Sequence, residues 1–436
     1  MSDEIFENQI VPMELAYYPP DEAASPEMMR FRRTNQFFLV ALDETSVHGF
    51  INGTLSKGES LDHDSMSNHD PGGDLLCIHS VVVAESHRRK GIASKMLLEY
   101  LMHIGECEVR KVALLSKAAL IPLYKGVGFI NKGPSSVQHG KDVWYQLEMD
   151  MRGFATVSFE NAFVSVGKSF SGNPAAVVQL PFRSSILTNW PFSTDFQNRF
   201  DKWMSNIAAQ LNLPATAFVF GGANDEYSIR FFTPRGEISL CGHAAFAAAG
   251  YLFRCTNSEV LVLHAPSRVV MAKATHRNVT ISLGCNDPSP VTDKTVLHSL
   301  SKLSLDTVVA VESTTSFLLV EVSSQETMDS IMLKQVEELM EMYSIVAFTC
   351  IPNPSSALQY VCRCFTGGIE DSFCGAAQTM LGPYWYRIYG NIPMRMSQNS
   401  TRTGEATVKK DESFVYLTGE SEQLSCGKLF SSPFSS

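Results

Sequence analysis

The sequence predicts an α/β unit followed by a two-lobed α+β unit, and three observations carry that reading. At 436 residues the chain exceeds one ordinary domain. A strand pattern at Leu75–Val83 passes through a basic, glycine-containing turn into a helix pattern, and a further strand pattern follows at Lys111–Ser116. That β-α-β order gives a right-handed crossover with a crevice at the strand ends. Finally, FFTPRGEISLCGHAAFAAAGYLF (Phe231–Phe253) and CFTGGIEDSFCGAAQTMLGPYW (Cys364–Trp385) resemble each other. Each sets an aromatic-Thr pair and an acidic residue before a Cys-Gly that opens a small-residue, apolar helix. Such a duplication implies two similar lobes with a cleft between them.

Taken in order, the first 74 residues supply strand patterns at Phe37–Leu42 and His48–Leu55 and a helical stretch at Ser25–Arg33. A polar loop runs from Ser56 to Gly73, and its histidines, His63 and His69, read as surface residues. In the next strand, period two places Leu75, Cys77, His79, Val81 and Val83 on one face, with His79 its one ionisable side chain. Arg88, Arg89, Lys90, Gly91, Ile92 and Ala93 follow, and from Met96 the apolar positions Leu97, Tyr100, Leu101 and Ile104 recur at helical spacing. The turn therefore feeds a helix N-terminus. Free backbone N–H groups, the helix dipole and adjacent cations favour phosphate there, and Gly91 with small Ala93 lets a pyrophosphate approach the backbone. Past the next strand, a short helix carries Tyr124 after Pro122. Asp142–Met151 reads as the last strand of this unit, and with no Pro- or Gly-rich linker after it the two units are expected to sit close together. Phe154–Val166 opens a strand-rich region, Val308–Val322 holds two strands, Gln325–Tyr343 has helical spacing, and Phe414–Leu417 and Gln423–Leu429 are late strands. Ser431–Ser436 is expected to be disordered.

Composition narrows the function. A net charge of −10 argues against a nucleic-acid partner, because the only compact basic cluster is the turn. The acidic N-terminus lacks the pattern of a secretory signal, and no run of about 18 apolar residues occurs. A cytoplasmic protein without membrane partners is the expectation. Ten cysteines without any C-x-x-C read as reduced thiols, and Cys362 and Cys364, two apart on a strand with no histidine nearby, lack metal-ligand spacing. No metal is expected.

Arg88-Arg89-Lys90-Gly91-Ile92-Ala93 after IHSVVV resembles the acetyl-coenzyme A motif of the GNAT acetyltransferases. The surrounding words YPPDEAAS (Tyr18–Ser25), FINGT (Phe50–Thr54), HDSMSNHDPGG (His63–Gly73), and LIPLYKGVGF with GPSSVQHG (Leu120–Gly140) resemble the arylalkylamine N-acetyltransferases of the non-vertebrate type, over nearly all of residues 10 to 150. The resemblance implies a mixed twisted sheet flanked by helices, and two central strands that splay to admit pantetheine. It implies acetyl-CoA as co-substrate, held by Val81, Val83, Arg88, Arg89, Lys90, Gly91, Ile92, Ala93 and Ser94. Tyr124 stands at the position of the general acid, and His79 at that of one of two catalytic histidines. Cys77 takes the other position, which leaves a single base. Phe37 and Phe38 are candidate aromatic walls for a small-molecule amine of the serotonin, tryptamine, dopamine, tyramine or octopamine class. The family implies direct attack on a thioester whose carbonyl is polarised by a strand N–H.

From about residue 156 to about 428, SGNPAAVV (Ser171–Val178) and the two Cys-Gly words resemble the PhzF-like family, whose fold is shared with diaminopimelate epimerase. That implies two lobes, each a β-barrel-like sheet around a central helix. Gly242, His243 and Asp371 match substrate-contacting positions, and Ala376 replaces a serine. In Leu213-Pro214-Ala215-Thr216-Ala217-Phe218, Ala215 stands where active members carry a glutamate that moves the proton. Cys241 and Cys374-Gly375 restore a Cys-Gly on both lobes, so a thiol pair of lowered pKa at two helix N-termini is an alternative acid/base device. The expected organisation is 1–152 for the acetyltransferase unit and 153–436 for the PhzF-like unit, with lobes at 153–285 and 286–428. The expected function is N-acetylation of an arylalkylamine. The alternatives for the second unit are an isomerase or epimerase of a small carboxylic acid, or a non-catalytic module that binds a small carboxylate or dimerises. A homodimer is left open.

Overall fold

A computed structural model describes residues 2–44, 46–105, 107–137, 141–153, 155–183, 194–222, 224–303 and 308–429. The expectation for Ser431–Ser436 lies outside the described residues.

The first unit begins with a helical run ending in α1 (Val11–Tyr17) and continues with α2 (Pro26–Arg33), whose first turn is capped by the Ser25 hydroxyl. β1 (Phe38–Leu42), β2 (Val47–Ser56), β3 (Leu75–Val83), β4 (Lys111–Lys117), β5 (Ile130–Pro134) and β6 (Trp144–Asp150) form one sheet in the order β1-β2-β3-β4-β6-β5. β3 and β4 are parallel and the other pairs antiparallel. Between β2 and β3 the polar stretch is not all loop: α3 (His63–Ser67) forms there because Asp62 and Ser65 close a capping box. α4 (Ile92–Gly105) lays Ile92, Met96, Leu97, Tyr100, Leu101 and Ile104 on one face of the sheet. Phe6, Ile10, Val11 and Met29 cover the other face with Phe50 and Val82. α5 (Ile121–Gly126) carries Tyr124.

β3 departs from simple alternation. Asn52 of β2 pairs with Ser80 but the next residue, Gly53, pairs with Ile78, so His79 is an extra residue in a bulge. The faces exchange there. Leu75 and Cys77 pack with Leu61 and Ala113, whereas Val81 and Val83 join Leu76 and Ile78 on the α4 side. The expected single face of Leu75, Cys77, His79, Val81 and Val83 is therefore corrected to two half-faces that meet at His79. β3 pairs with β4 only from Leu75↔Lys111 to Ile78↔Leu114. Beyond that point the strands part.

In the second unit, the strands from β7 (Ala155–Ala162) and β8 (Asn173–Arg183) through Phe414–Leu429 close into one continuous barrel-like sheet. Helices Gly242–Cys255 and Gly375–Tyr389 are buried within it, each in an apolar cluster of alanines and aromatics. The two late strand patterns are one strand with a register shift between Gln423 and Ser425. The stretch Gln325–Tyr343 is not one helix but three short turns, Gln325–Asp329, Leu333–Gln335 and Glu337–Met342. The Arg363 Nη1 takes the carbonyls of Met328, Asp329 and Ile331 at 2.8, 3.1 and 2.8 Å, which satisfies them outside a helical ladder.

The units are not strung apart. One apolar cluster runs from Leu97, Tyr124, Leu147 and Met149 into Ala155, Val178, Phe182, Phe200 and Phe218. At Gly128, φ +103, an added Cβ would stand 3.1 Å from Pro181 of β8, so the backbone meets the proline ring closely and in a conformation that favours glycine.

Candidate active site

The parting of β3 from β4 opens a cleft of about 750 Å³. Val81 and Val83 form one wall, Arg88 and Arg89 the lip, and Gly91, Ile92, Ala93 and Ser94 the start of α4. Lys90, expected with them, is exposed and does not line it. Gly91 has φ +81 with nothing within 4 Å of a built Cβ, so glycine is needed there for conformation and not for space. Arg89 is also left-handed at φ +62. Arg88 is committed to the scaffold: its Nε donates to the Val83 carbonyl at 3.1 Å and its guanidinium lies 4.5 Å from the Tyr17 ring centroid. Arg89 and Lys90 make no ion pair among the described residues. An anion at the N-terminus of α4 thus meets helix N–H groups, the dipole and uncommitted cations.

Across the cleft stands Tyr124, its phenol raised above the ordinary tyrosine pKa by burial. Its hydroxyl makes no hydrogen bond among the described residues. Tyr17 and Tyr18, which sequence reasoning did not single out, line the same space. The Val81 N–H, on the cleft wall, reaches the Tyr18 Oη at 3.4 Å, a long bond that a better acceptor would displace. Tyr18 is raised first by burial and next by Tyr124, so the two phenols are neighbours. Their one sequence signal was an aromatic pair directly before Pro19-Pro20.

His79 does not line this cleft. Its imidazole is half-buried with Nε2 2.7 Å from the Thr54 Oγ1, on the sheet face where Thr54 pairs with Cys77. A second titratable group lies on that face. The carboxyl of Glu14, 2 % exposed, accepts from the Ala24 N–H and the Ser80 hydroxyl at 3.1 Å each through Oε1. Its Oε2 is buried without a hydrogen-bond partner among the described residues. Burial raises its pKa, partly offset by those donors and by Arg32. In the sequence Glu14 was one acid in an otherwise apolar helix, which betrays nothing until the helix is docked.

The second set of expected residues gathers where the two internal helices begin. An added Cβ on Gly242 would fall 3.2 Å from the Gly375 Cα, and the reverse holds, so the helix tips touch. Cys241 Sγ lies 3.4 Å from His243 Nδ1, and the Cys374 Sγ accepts the Ala377 N–H at 3.4 Å as a helix cap. Asp371 accepts from the Asn173 Nδ2 at 2.6 Å, while Gln398 bridges the Asp371 carbonyl and the Cys374 N–H. Asn173, missed earlier, had a signal in the Gly-Asn-Pro word. Burial pushes the Cys241 thiol up to about 12, outweighing the helix N–H groups that lower it. The alternative of a lowered thiol pKa is corrected for Cys241, whose thiol is shifted upward. Ala215 is fully buried in its strand, and its methyl side chain cannot carry a proton to or from a substrate. Among the described residues no group of three His, Cys, Asp or Glu side chains could hold a metal, and no helix is long and apolar enough to cross a membrane.

Fold and sites define a two-unit protein: an α/β unit with a cleft at the N-terminus of a helix, joined to a duplicated barrel around two buried helices. The acetyltransferase (GNAT) family matches residues 4–129 and the phenazine biosynthesis-like protein family matches residues 160–427. The latter match spans more than half of the chain, which belongs to that family, with a GNAT domain in front. An uncharacterized isomerase of Halalkalibacterium halodurans is 27% identical over 267 residues, covering 58% of this chain and 91% of that protein. Serotonin N-acetyltransferase of Mesocricetus auratus is 33% identical over 111 residues, covering 25% of this chain and 54% of that protein. The chain thus spans about half the length of that relative. A phenazine biosynthesis protein of the PhzF family from Enterococcus faecalis has a structure similar to this one with a TM-score of 0.52 at 24% identity, covering 64% and 99% of the two chains, a likeness of fold.

Proposed function

We propose that the N-terminal unit transfers an acetyl group from acetyl-CoA to an arylalkylamine of the serotonin, tryptamine, dopamine, tyramine or octopamine class, as in the non-vertebrate arylalkylamine N-acetyltransferase branch. The observation that carries the reading is the cleft itself, with parted strands behind, a helix N-terminus with the uncommitted Arg89 at one lip, and the Tyr124 phenol opposite. These residues fit acetyl-CoA, whose thioester supplies the acyl group. The turn from Arg88 to Ser94 would hold the diphosphate, and Val81 and Val83 the pantetheine arm. The Val81 N–H would exchange Tyr18 for the carbonyl oxygen. Tyr124, a phenol protonated at neutral pH and standing across the cleft, would donate its proton to the departing thiolate. His79 lies behind the cleft wall with Thr54, so its service as base to the ammonium would run through water. The test is thiol release from acetyl-CoA with a panel of aromatic amines and polyamines; release with polyamines in preference would overturn the amine class while leaving the transferase.

For the second unit the reading that fits Ala215 and the high thiol of Cys241 is a binding module for a small carboxylate, held where the two helix tips meet. Isomerase action is the second reading, favoured by His243 beside Cys241 and Asp371. Solvent deuterium entering the α-carbon of a small acid would establish the second; tight binding without exchange supports the first.

A further inference from the structure

Arg183 belongs to the second unit yet lines the cleft of the first. It is the last residue of β8, and the pairing with the neighbouring strand slips just before it, from Leu180↔Phe220 to Arg183↔Gly221. A bulge of this kind re-aims a side chain. Pro181 rests on Gly128 and Phe182 is buried in the shared apolar cluster, so the backbone before Arg183 is clamped to the first unit. The arginine stem then crosses Gly126 at the end of α5: its Cδ is 3.8 Å from where a Cβ on Gly126 would stand. The guanidinium is exposed and makes no hydrogen bond or ion pair among the described residues. Among those residues no carboxylate lines the cleft.

An arginine brought across a unit boundary, with no partner among the described residues, into a cleft whose other lip is already cationic, is suited to an anion. On the reading that this cleft holds acetyl-CoA, the ligand carries a diphosphate and a third phosphate on its ribose, so it offers an anionic group to a cation on the second lip as well as to the turn. We propose that Arg183 is a cofactor-binding residue supplied by the PhzF-like unit, and that its guanidinium holds a phosphate of coenzyme A. The acetyltransferase site is then complete only when both units are docked. The proposal rests on the acetyl-CoA reading, and its test separates the two.

Coenzyme A and dephospho-coenzyme A are titrated by calorimetry into the full chain, into R183A, and into R183Q, which keeps the stem over Gly126. Both variants should melt as the parent does. Coenzyme A should bind them roughly tenfold more weakly, the size expected for one charged hydrogen-bonding pair. If dephospho-coenzyme A loses nothing, the phosphate is the ribose one; if it loses as much, the contact is to the diphosphate. A dissociation constant within twofold of the parent in both variants overturns the proposal. A parent chain that binds neither ligand overturns the acetyl-CoA reading instead.

Discussion

Tyr124 and Glu14 are two buried ionisable groups pushed in the same direction for the same reason, and they lead to separate tests. Because the Tyr124 phenol is protonated at neutral pH and faces the cleft, Tyr124→Phe should lower kcat by about 10²-fold, within the range for a lost general acid, while coenzyme A affinity holds. Steady-state kinetics beside calorimetry would check this, and an unchanged kcat would remove Tyr124 from the mechanism. For Glu14 the folded-state pKa lies above the unfolded one. The native state therefore holds the proton more tightly, and the stability it contributes is present in acid and is lost as pH rises through the ordinary carboxylate range toward the raised value. Glu14→Gln should melt at the same or a higher temperature than the parent at pH 8, with a flatter dependence between pH 4 and 8; a steeper one would contradict the assignment. The turn residues were legible in the sequence because their chemistry is local, cations next to a glycine before a helix. Tyr18, Glu14 and Arg183 were not, since each acquires its role from a partner distant along the chain.

Among the elements, β3 shows where period-two reading stops working. It located the strand's ends, but one extra residue exchanges the faces, and nothing in LLCIHSVVV announces a bulge. The bulge also explains why His79 faces Thr54 while Val81 faces the cleft. Helix α4 was read well because its apolar spacing and its burial agree. The break in Gln325–Tyr343 was hidden because apolar spacing persists while Arg363 takes the carbonyls. Two outcomes follow for the turn and helix. Gly91→Ala must place a side chain at φ +81, costing about 1 to 2 kcal/mol with no contact to blame, and should weaken coenzyme A binding along with stability. Leu97→Ala, emptying a fully buried position, should cost about 2 to 5 kcal/mol in urea unfolding without altering substrate preference.

Taken as a molecule, the chain joins two folds that the sequence announced separately and in the right order. Their fusion through one core was only hinted at, by the missing linker. Since Phe182 sits in the cluster shared by both, Phe182→Ala should cost about 3 to 5 kcal/mol and lower the melting of both units together, in a single calorimetric transition. Two resolved transitions, with only one moved, would mean that the units fold independently. Within the second unit, the duplicated words were the clearest whole-fold signal in the sequence, because each repeat is a complete strand-turn-helix.

Gly242 and Gly375 stand tip to tip, so a side chain added to either would press on the backbone of the other helix. Each lobe thereby limits which residue its counterpart can carry at that point, and a substitution in one would be felt as misfit in both.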